Sequence, residues 1–207
     1  AYKFVKEAVI AYPELYFSRL VVLGEGDTET IIIPKALETF GSSIDSSGIS
    51  VVPLGGRHVN HFWRLLSALN IPYITLLDLD LERPGGGWGR IKYILKELIE
   101  KGADKKELLL LTNGKILSDE ELENMHKWPS DSVKSRKDME NWAESLEEFN
   151  TFFSSPLDLD FAMLSAFTDN YKSTAHEGPR IPKNPVELGK KINDAVQATL
   201  KGEDGKT

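Results

Sequence analysis

The chain contains no cysteine among its 207 residues. That excludes disulfide frameworks, thiolate zinc centres and cysteine nucleophiles, and it is compatible with a reducing, cytoplasmic setting. No window approaches the roughly 18 apolar residues that a membrane-spanning helix needs, and no charged-then-apolar leader opens the sequence. No membrane partner is therefore expected. A Gly-x-x-x-x-Gly-Lys-Ser/Thr loop is also missing, so no ATP site is expected within these residues. Positive charge is scarce: 25 Lys and Arg face 32 Asp and Glu, for a formal net charge of −7. Such a chain does not coat nucleic acid by charge alone. If it meets a polyanion, local carboxylates must be neutralised, and a divalent metal is the natural agent. The first residue is Ala1 rather than Met, which reads as a piece of a longer polypeptide.

What is present is apolar patterning of the α/β kind. Residues 19–24 (Arg-Leu-Val-Val-Leu-Gly) read as a buried parallel strand, residues 49–54 as a second and residues 72–79 as a third. Helical patterns lie between them, from the turn at Glu25-Gly26-Asp27-Thr28 to about Phe40 and from Arg57 to Leu69. Pro34 inside the first predicts a late start or a kink. Strand, helix, strand, helix, strand at this spacing predicts a mostly parallel sheet flanked by helices. The loop Arg83-Pro84-Gly85-Gly86-Gly87 breaks structure, and a helix follows from about Trp88 to Lys101. Leu108–Thr112 is either an edge strand or part of a helical bundle. Between Glu97 and Glu148 there are 14 acidic and 8 basic residues at helical spacing, with a capping box at Ser118, which suits a solvated helical insertion. Residues 149–153 return to strand character, a short helix follows Asp160, and one more is expected from about Pro185 to Leu200. The expected division is 1–96 for the first part of the α/β domain, 97–148 for the insertion and 149–207 for the second part with its C-terminal helix.

Ligands of a parallel sheet bind at the carboxyl ends of its strands. Three apolar strands here end in acids: Glu25 after the first, Asp78 and Asp80 after the third, Asp158 and Asp160 after the late one. Glu29 lies one helical turn beyond Glu25 and shares that rim. Converging carboxylates repel unless a cation sits among them, and hard oxygen donors select Mg²⁺ or Mn²⁺. Two such ions would activate a water and stabilise the leaving oxygen of a phosphodiester. Taken singly, each acid has a plainer use. Glu25 and Asp27 suit a turn and a helix start, Asp78-Leu79-Asp80 a loop, and Asp158 a cap. The functional reading rests on three strand ends agreeing.

Leu23-Gly24-Glu25-Gly26-Asp27-Thr28-Glu29 resembles the Glu-Gly-x-Ser/Thr-Glu motif of Toprim domains, and Leu76-Leu77-Asp78-Leu79-Asp80 resembles their Asp-x-Asp motif. The continuation through Arg83 and Pro84, with the later Phe153-Ser154-Ser155-Pro156-Leu157-Asp158-Leu159-Asp160-Phe161, is most similar to the OLD (overcoming lysogenization defect) nucleases. The resemblance spans about residues 19–185. It implies a Toprim fold and a metal-dependent DNA endonuclease using two Mg²⁺ or Mn²⁺ ions. This chain would be its C-terminal half, with DNA as substrate, an N-terminal ABC-type ATPase domain as partner and a homodimeric habit. It further implies Glu25, Glu29, Asp78, Asp80 and Asp158 as metal ligands, with Ser155 and Asp160 competing for the third acidic motif. Glu25 would also be catalytic, and a late lysine would steady transition-state charge. Lys183 is the leading candidate, ahead of Lys190 and Lys172.

Two rival readings remain at this level. A haloacid-dehalogenase-like phosphatase also places Asp-x-Asp at a strand end, but it wants Thr or Val where Glu82 stands and leaves Glu25 and Glu29 without a role. A non-catalytic, metal-holding module that recruits DNA or protein would use the acidic insertion as its surface. His58 and His61, three apart, lack a third ligand. Arg57, His58 and Arg64 suit phosphate contacts or a solvated face equally. Gly85-Gly86-Gly87 reads as a flexible exit loop or a place of close phosphate approach. The four tryptophans read as packing.

Overall fold

A computed structural model describes residues 10–41, 44–55, 58–81, 83–111, 114–172, 184–187 and 190. Among these, four strands form one all-parallel sheet in the order β2-β1-β3-β4: β1 Leu20–Gly24, β2 Ile49–Pro53, β3 Tyr73–Asp78 and β4 Thr151–Ser154. β1 pairs with β2 on one side and β3 on the other, with Leu23 opposite Val52 and Thr75. β3 pairs with β4 so that Asp78 lies opposite Ser154. Parallel neighbours require helical crossovers. α1 (Asp27–Thr39) and α2 (Ile44–Ser47) join β1 to β2, and α3 (Val59–Ala68) joins β2 to β3. The connection from β3 to β4 is longer, through α4 (Trp88–Lys101), α5 (Lys105–Leu108), α6 (Asp119–Asn124) and α7 (Val133–Leu146). α8 (Leu159–Ala166) and α9 (Thr168–Lys172) follow β4. No helix among the described residues is long and apolar enough to cross a membrane.

The core follows from the apolar runs. Val21, Leu23 and Val52 are fully enclosed, and α3 and α4 lay Phe62, Leu66, Ile91, Ile94 and Leu95 against the sheet. The helical stretch after α4 does not carry a separate core: Leu122, Met125, Met139 and Leu146 belong to the same buried cluster as Val21 and Leu23. Trp63 is buried and donates its ring N–H to Thr75 Oγ1 at 2.9 Å, while Trp88 and Trp128 pack edge to face.

Three local expectations change. α1 starts at Asp27, well before Pro34, and runs through it. Of the two readings of Leu108–Thr112, the edge strand is not formed over the described residues: α5 ends at Leu108, and a single antiparallel bridge joins Leu110 to Ile116. The sequence from Tyr171 onward reads as loop, whereas α9 continues to Lys172.

Candidate metal centre

The sheet delivers the acids to one edge. Glu25 stands directly after β1; one carboxylate oxygen accepts the Asp78 backbone N–H at 2.9 Å, which ties the β1 and β3 ends together. Glu29 folds back from the first turn of α1, where its Oε2 accepts the Gly26 N–H at 2.8 Å. Its side chain lies over Gly24 so closely that a Cβ there would sit 2.4 Å from the Glu29 Cβ. Only glycine at the strand end admits this packing, and Glu29 is 3% exposed as a result. Burial raises its carboxyl above the usual range, opposed by the Gly26 N–H.

Asp78 is the least compensated member. Its Oδ1 is buried and accepts no hydrogen bond. Burial first, then the charges of Glu25, Glu29, Asp80 and Asp158, push its carboxyl up to about 7. Asp80 is the opposite case. It sits in the left-handed region (φ 52°), where it accepts from Arg83 at 2.5 Å and from Arg90 at 2.5 Å. Burial works to raise it, but these two guanidinium groups prevail and hold it below the usual range.

The loops after β3 and β4 are stitched backbone to backbone. Leu79 donates to the Ser154 carbonyl at 3.0 Å, Asp80 to Leu157 at 2.8 Å and Leu81 to Pro156 at 3.0 Å. This stitching brings Asp158 beside Asp80. Asp158 Oδ1 caps α8 by accepting the Phe161 N–H at 2.8 Å, and its Oδ2 accepts from Arg83 at 2.8 Å. Its capping and site roles thus coexist. Asp160 is exposed and accepts from Thr28 Oγ1 at 3.2 Å, linking α8 to α1. Ser155 is exposed, and buried Ser154 contributes its carbonyl to the stitching.

Five of the expected acids, Glu25, Glu29, Asp78, Asp80 and Asp158, therefore line one rim, with Asp160 at its exposed margin. Lys183 lies outside the described residues, as do Arg57 and Glu82; Lys190 is exposed. Among the described residues, no three His, Cys, Asp or Glu side chains converge closely enough to grip one ion. Two arginines stand between them instead. Arg90 bridges Glu25 (2.6 Å) and Asp80, and Arg83 bridges Asp80 and Asp158. The donor set nevertheless suits a hard cation: it is all carboxylate oxygen, and the buried Asp78 Oδ1 lacks the arginine partner that Glu25, Asp80 and Asp158 have.

Sequence reading missed the roles of Arg83 and Arg90. One signal was available for the second. Arg90 occupies the first turn of α4, where the helix dipole disfavours a cation and where no acid is found. The glycine run also has a different use from either expected one. Gly87 N–H donates to the Leu79 carbonyl at 2.7 Å, and a Cβ on Gly86 would fall 1.7 Å from the Asp80 carbonyl oxygen. The loop presses on Asp80 and fixes its backbone. His58 and His61 do not form a shared site; His58 Nδ1 lies 3.3 Å from the Tyr93 hydroxyl. Arg64 is exposed and faces Glu100.

A family model described as the Overcoming lysogenization defect protein-like TOPRIM domain matches residues 16–80, the span that holds Glu25, Glu29, Asp78 and Asp80. The C-terminal region of the Xanthomonas campestris pv. campestris OLD protein superposes with a TM-score of 0.53 at 23% identity, covering 89% of this chain and 74% of that one. The C-terminal region of the Burkholderia pseudomallei OLD protein gives a TM-score of 0.49 at 20% identity, covering 89% and 80%. No curated protein sequence matches the chain. The chain thus shares the fold of these C-terminal regions, and its residues 16–80 match the Toprim domain model of OLD-like proteins, with the two acidic motifs at adjacent strand ends of a parallel sheet.

Proposed function

We propose that this region is a metal-dependent DNA endonuclease, hydrolysing phosphodiester bonds with two Mg²⁺ or Mn²⁺ ions. The observation that carries the reading is the convergence of Glu25, Glu29, Asp78, Asp80 and Asp158 on one sheet edge, with a buried Asp78 oxygen lacking any partner. Glu25, Glu29, Asp78, Asp80 and Asp158 would hold the ions, with Asp160 at the margin. Bound there, the metals would supply Lewis acidity and a water of lowered pKa. Glu25 accepts the Asp78 N–H through one oxygen and Arg90 through the other, so Arg90 would have to give way before Glu25 could orient a water and take up its proton. Arg83 and Arg90 bridge the carboxylates and would be released toward the phosphate where a cation took their place. Lys183 is proposed to steady the charge of the leaving group. The reading also carries a cytoplasmic setting, an ABC-type ATPase domain in the same polypeptide as partner, and a homodimer.

The test is a supercoiled plasmid incubated with the protein in Mg²⁺, Mn²⁺ or EDTA, beside Glu29→Ala and Asp80→Asn. Nicked or linear DNA only with metal, and only with both acids in place, is the expected result. Plasmid left intact by the wild type under every metal, with the ATPase domain restored, would overturn the reading. Cleavage of a small phosphomonoester in place of DNA would point to phosphatase chemistry.

A further inference from the structure

Beside the carboxylates, at the ends of β1, β2 and β3, lies an open cavity of about 360 Å³. Its floor is apolar, from the buried Leu54 and Leu77, with Pro84 on one side. Its rim carries His58 at the start of α3 and Tyr93 on α4, joined through His58 Nδ1 and the Tyr93 hydroxyl. Their rings are tilted 53° to one another, 6.1 Å apart. Glu25 and Arg90 are shared between this cavity and the acid cluster, so an occupant would touch the candidate centre.

The lining selects the chemistry. A phosphate in the cavity would face the Glu25 carboxylate, and its one guanidinium is already engaged by two acids. A neutral planar group is not so opposed. It can lie on the apolar floor, stack against an aromatic or imidazole face and exchange hydrogen bonds at its edge with His58 and Tyr93. Burial and the neighbouring Glu97 charge push the Tyr93 hydroxyl up to about 12, so it remains a neutral donor.

We propose that this cavity receives a single unstacked nucleobase of a DNA strand, next to the carboxylate cluster. The assignment of DNA as the ligand rests on the nuclease reading. Drawing one base out of its stack would seat the adjoining sugar-phosphate at the acids. The cavity would then favour unpaired or easily unstacked positions over stable duplex.

Gly89 provides the test, because it borders the cavity and a Cβ built on it meets no atom within 4 Å. Gly89→Ala adds little bulk, whereas Gly89→Leu projects a side chain into the space. Each protein is titrated, in Ca²⁺, with a short single-stranded oligodeoxynucleotide and with an all-abasic strand of the same length and charge. The His58 C–H resonances are followed by NMR and assigned through His58→Gln. The base-bearing strand is expected to shift His58 and to bind about tenfold more tightly than the abasic one. Gly89→Leu should remove that difference, and Gly89→Ala should keep it, with both variants melting like the wild type. Equal binding of the two strands by the wild type, or a base preference that survives Gly89→Leu, would overturn the proposal. Plasmid cleavage by the same wild-type preparation in Mn²⁺ separates the two readings. Base preference without cleavage, with the ATPase domain restored, removes the nuclease reading alone, and cleavage without base preference removes the cavity's role alone.

Discussion

At the scale of single residues, the candidate centre is a set of carboxylates in which two guanidinium groups pair with Glu25, Asp80 and Asp158 and leave Glu29 and Asp78 out. Arg83 is largely enclosed, with 11% of its side chain exposed, and it holds Asp80 and Asp158 together. Removing one partner of a buried ion pair leaves an uncompensated charge and costs about 3–5 kcal/mol. Arg83→Gln should therefore lose stability of that order in EDTA, read by urea unfolding, and millimolar Mg²⁺ or Mn²⁺ should restore much of it. A loss that metal leaves untouched would show that Arg83 acts by packing and not by charge.

Asp78 makes a second prediction, with the sign set by its raised carboxyl. The folded protein holds that proton up to about pH 7, whereas the unfolded chain releases it near the ordinary value of 3.8. Between those values the native state binds more protons than the unfolded one, so this group's contribution to stability declines as pH rises through the window and levels off above it. Melting temperatures in EDTA should show that decline, and Asp78→Asn should flatten it. A divalent ion should be held more tightly at pH 8 than at pH 6, because at the lower pH its binding must expel a proton. Calorimetric titrations in buffers of different ionisation enthalpy would detect that proton, and its absence at pH 6 would refute the assignment.

At the scale of elements, two glycines set the positions of the acids for steric reasons. Gly24 lets Glu29 fold over the end of β1, and Gly86 lets the loop before α4 press on Asp80. Gly86→Ala should cost about 3 kcal/mol, because the added methyl meets a backbone carbonyl. Gly85→Ala, in open space at φ 79°, should cost about 1 kcal/mol of conformational strain. Equal losses in thermal or urea unfolding would mean that the loop yields at Gly86.

Much of this level was legible in sequence. The apolar runs ending in Gly24, Pro53 and Asp78 announced parallel strands, and acids after three of them announced the rim. The stitching of Leu79, Asp80 and Leu81 to the β4 loop was not legible, since it joins backbone groups some 75 residues apart, a separation seen also in the Arg83–Asp158 pair. Arg83 and Arg90 were hidden for the same reason. The turn at Arg83 says nothing of its carboxylates, and the helix start at Arg90 marks a misplaced cation without naming the partners that only the tertiary fold brings to it. Leu108–Thr112 stayed open between strand and helix because an apolar run of that length fits either, and burial of Leu108 and Leu109 in the shared core goes with the helix end.

At the scale of the whole molecule, a net charge of −7 opposes approach to DNA, and the candidate centre concentrates that charge. Metal and DNA should therefore bind with positive coupling. Filter retention of a labelled duplex is expected to be weak in EDTA and to strengthen by about tenfold or more with Ca²⁺, while Asp80→Asn reduces the gain. Retention independent of metal would place the DNA-binding surface elsewhere in the chain.

The three hydrogen bonds between the β3 and β4 loops also mean that Asp80 and Asp158 are neighbours without relying on the covalent path between them. That path leaves the sheet after Asp78, traverses four α-helices and returns at Thr151. The polypeptide could be opened at the exposed bend around Asp131 and given new termini there, and the two acids would still be apposed by strand pairing and those amide contacts. A two-piece version of this protein, cut at that bend, is thus a realistic object, and its metal affinity would report how far the rim assembles once the helical connection is broken.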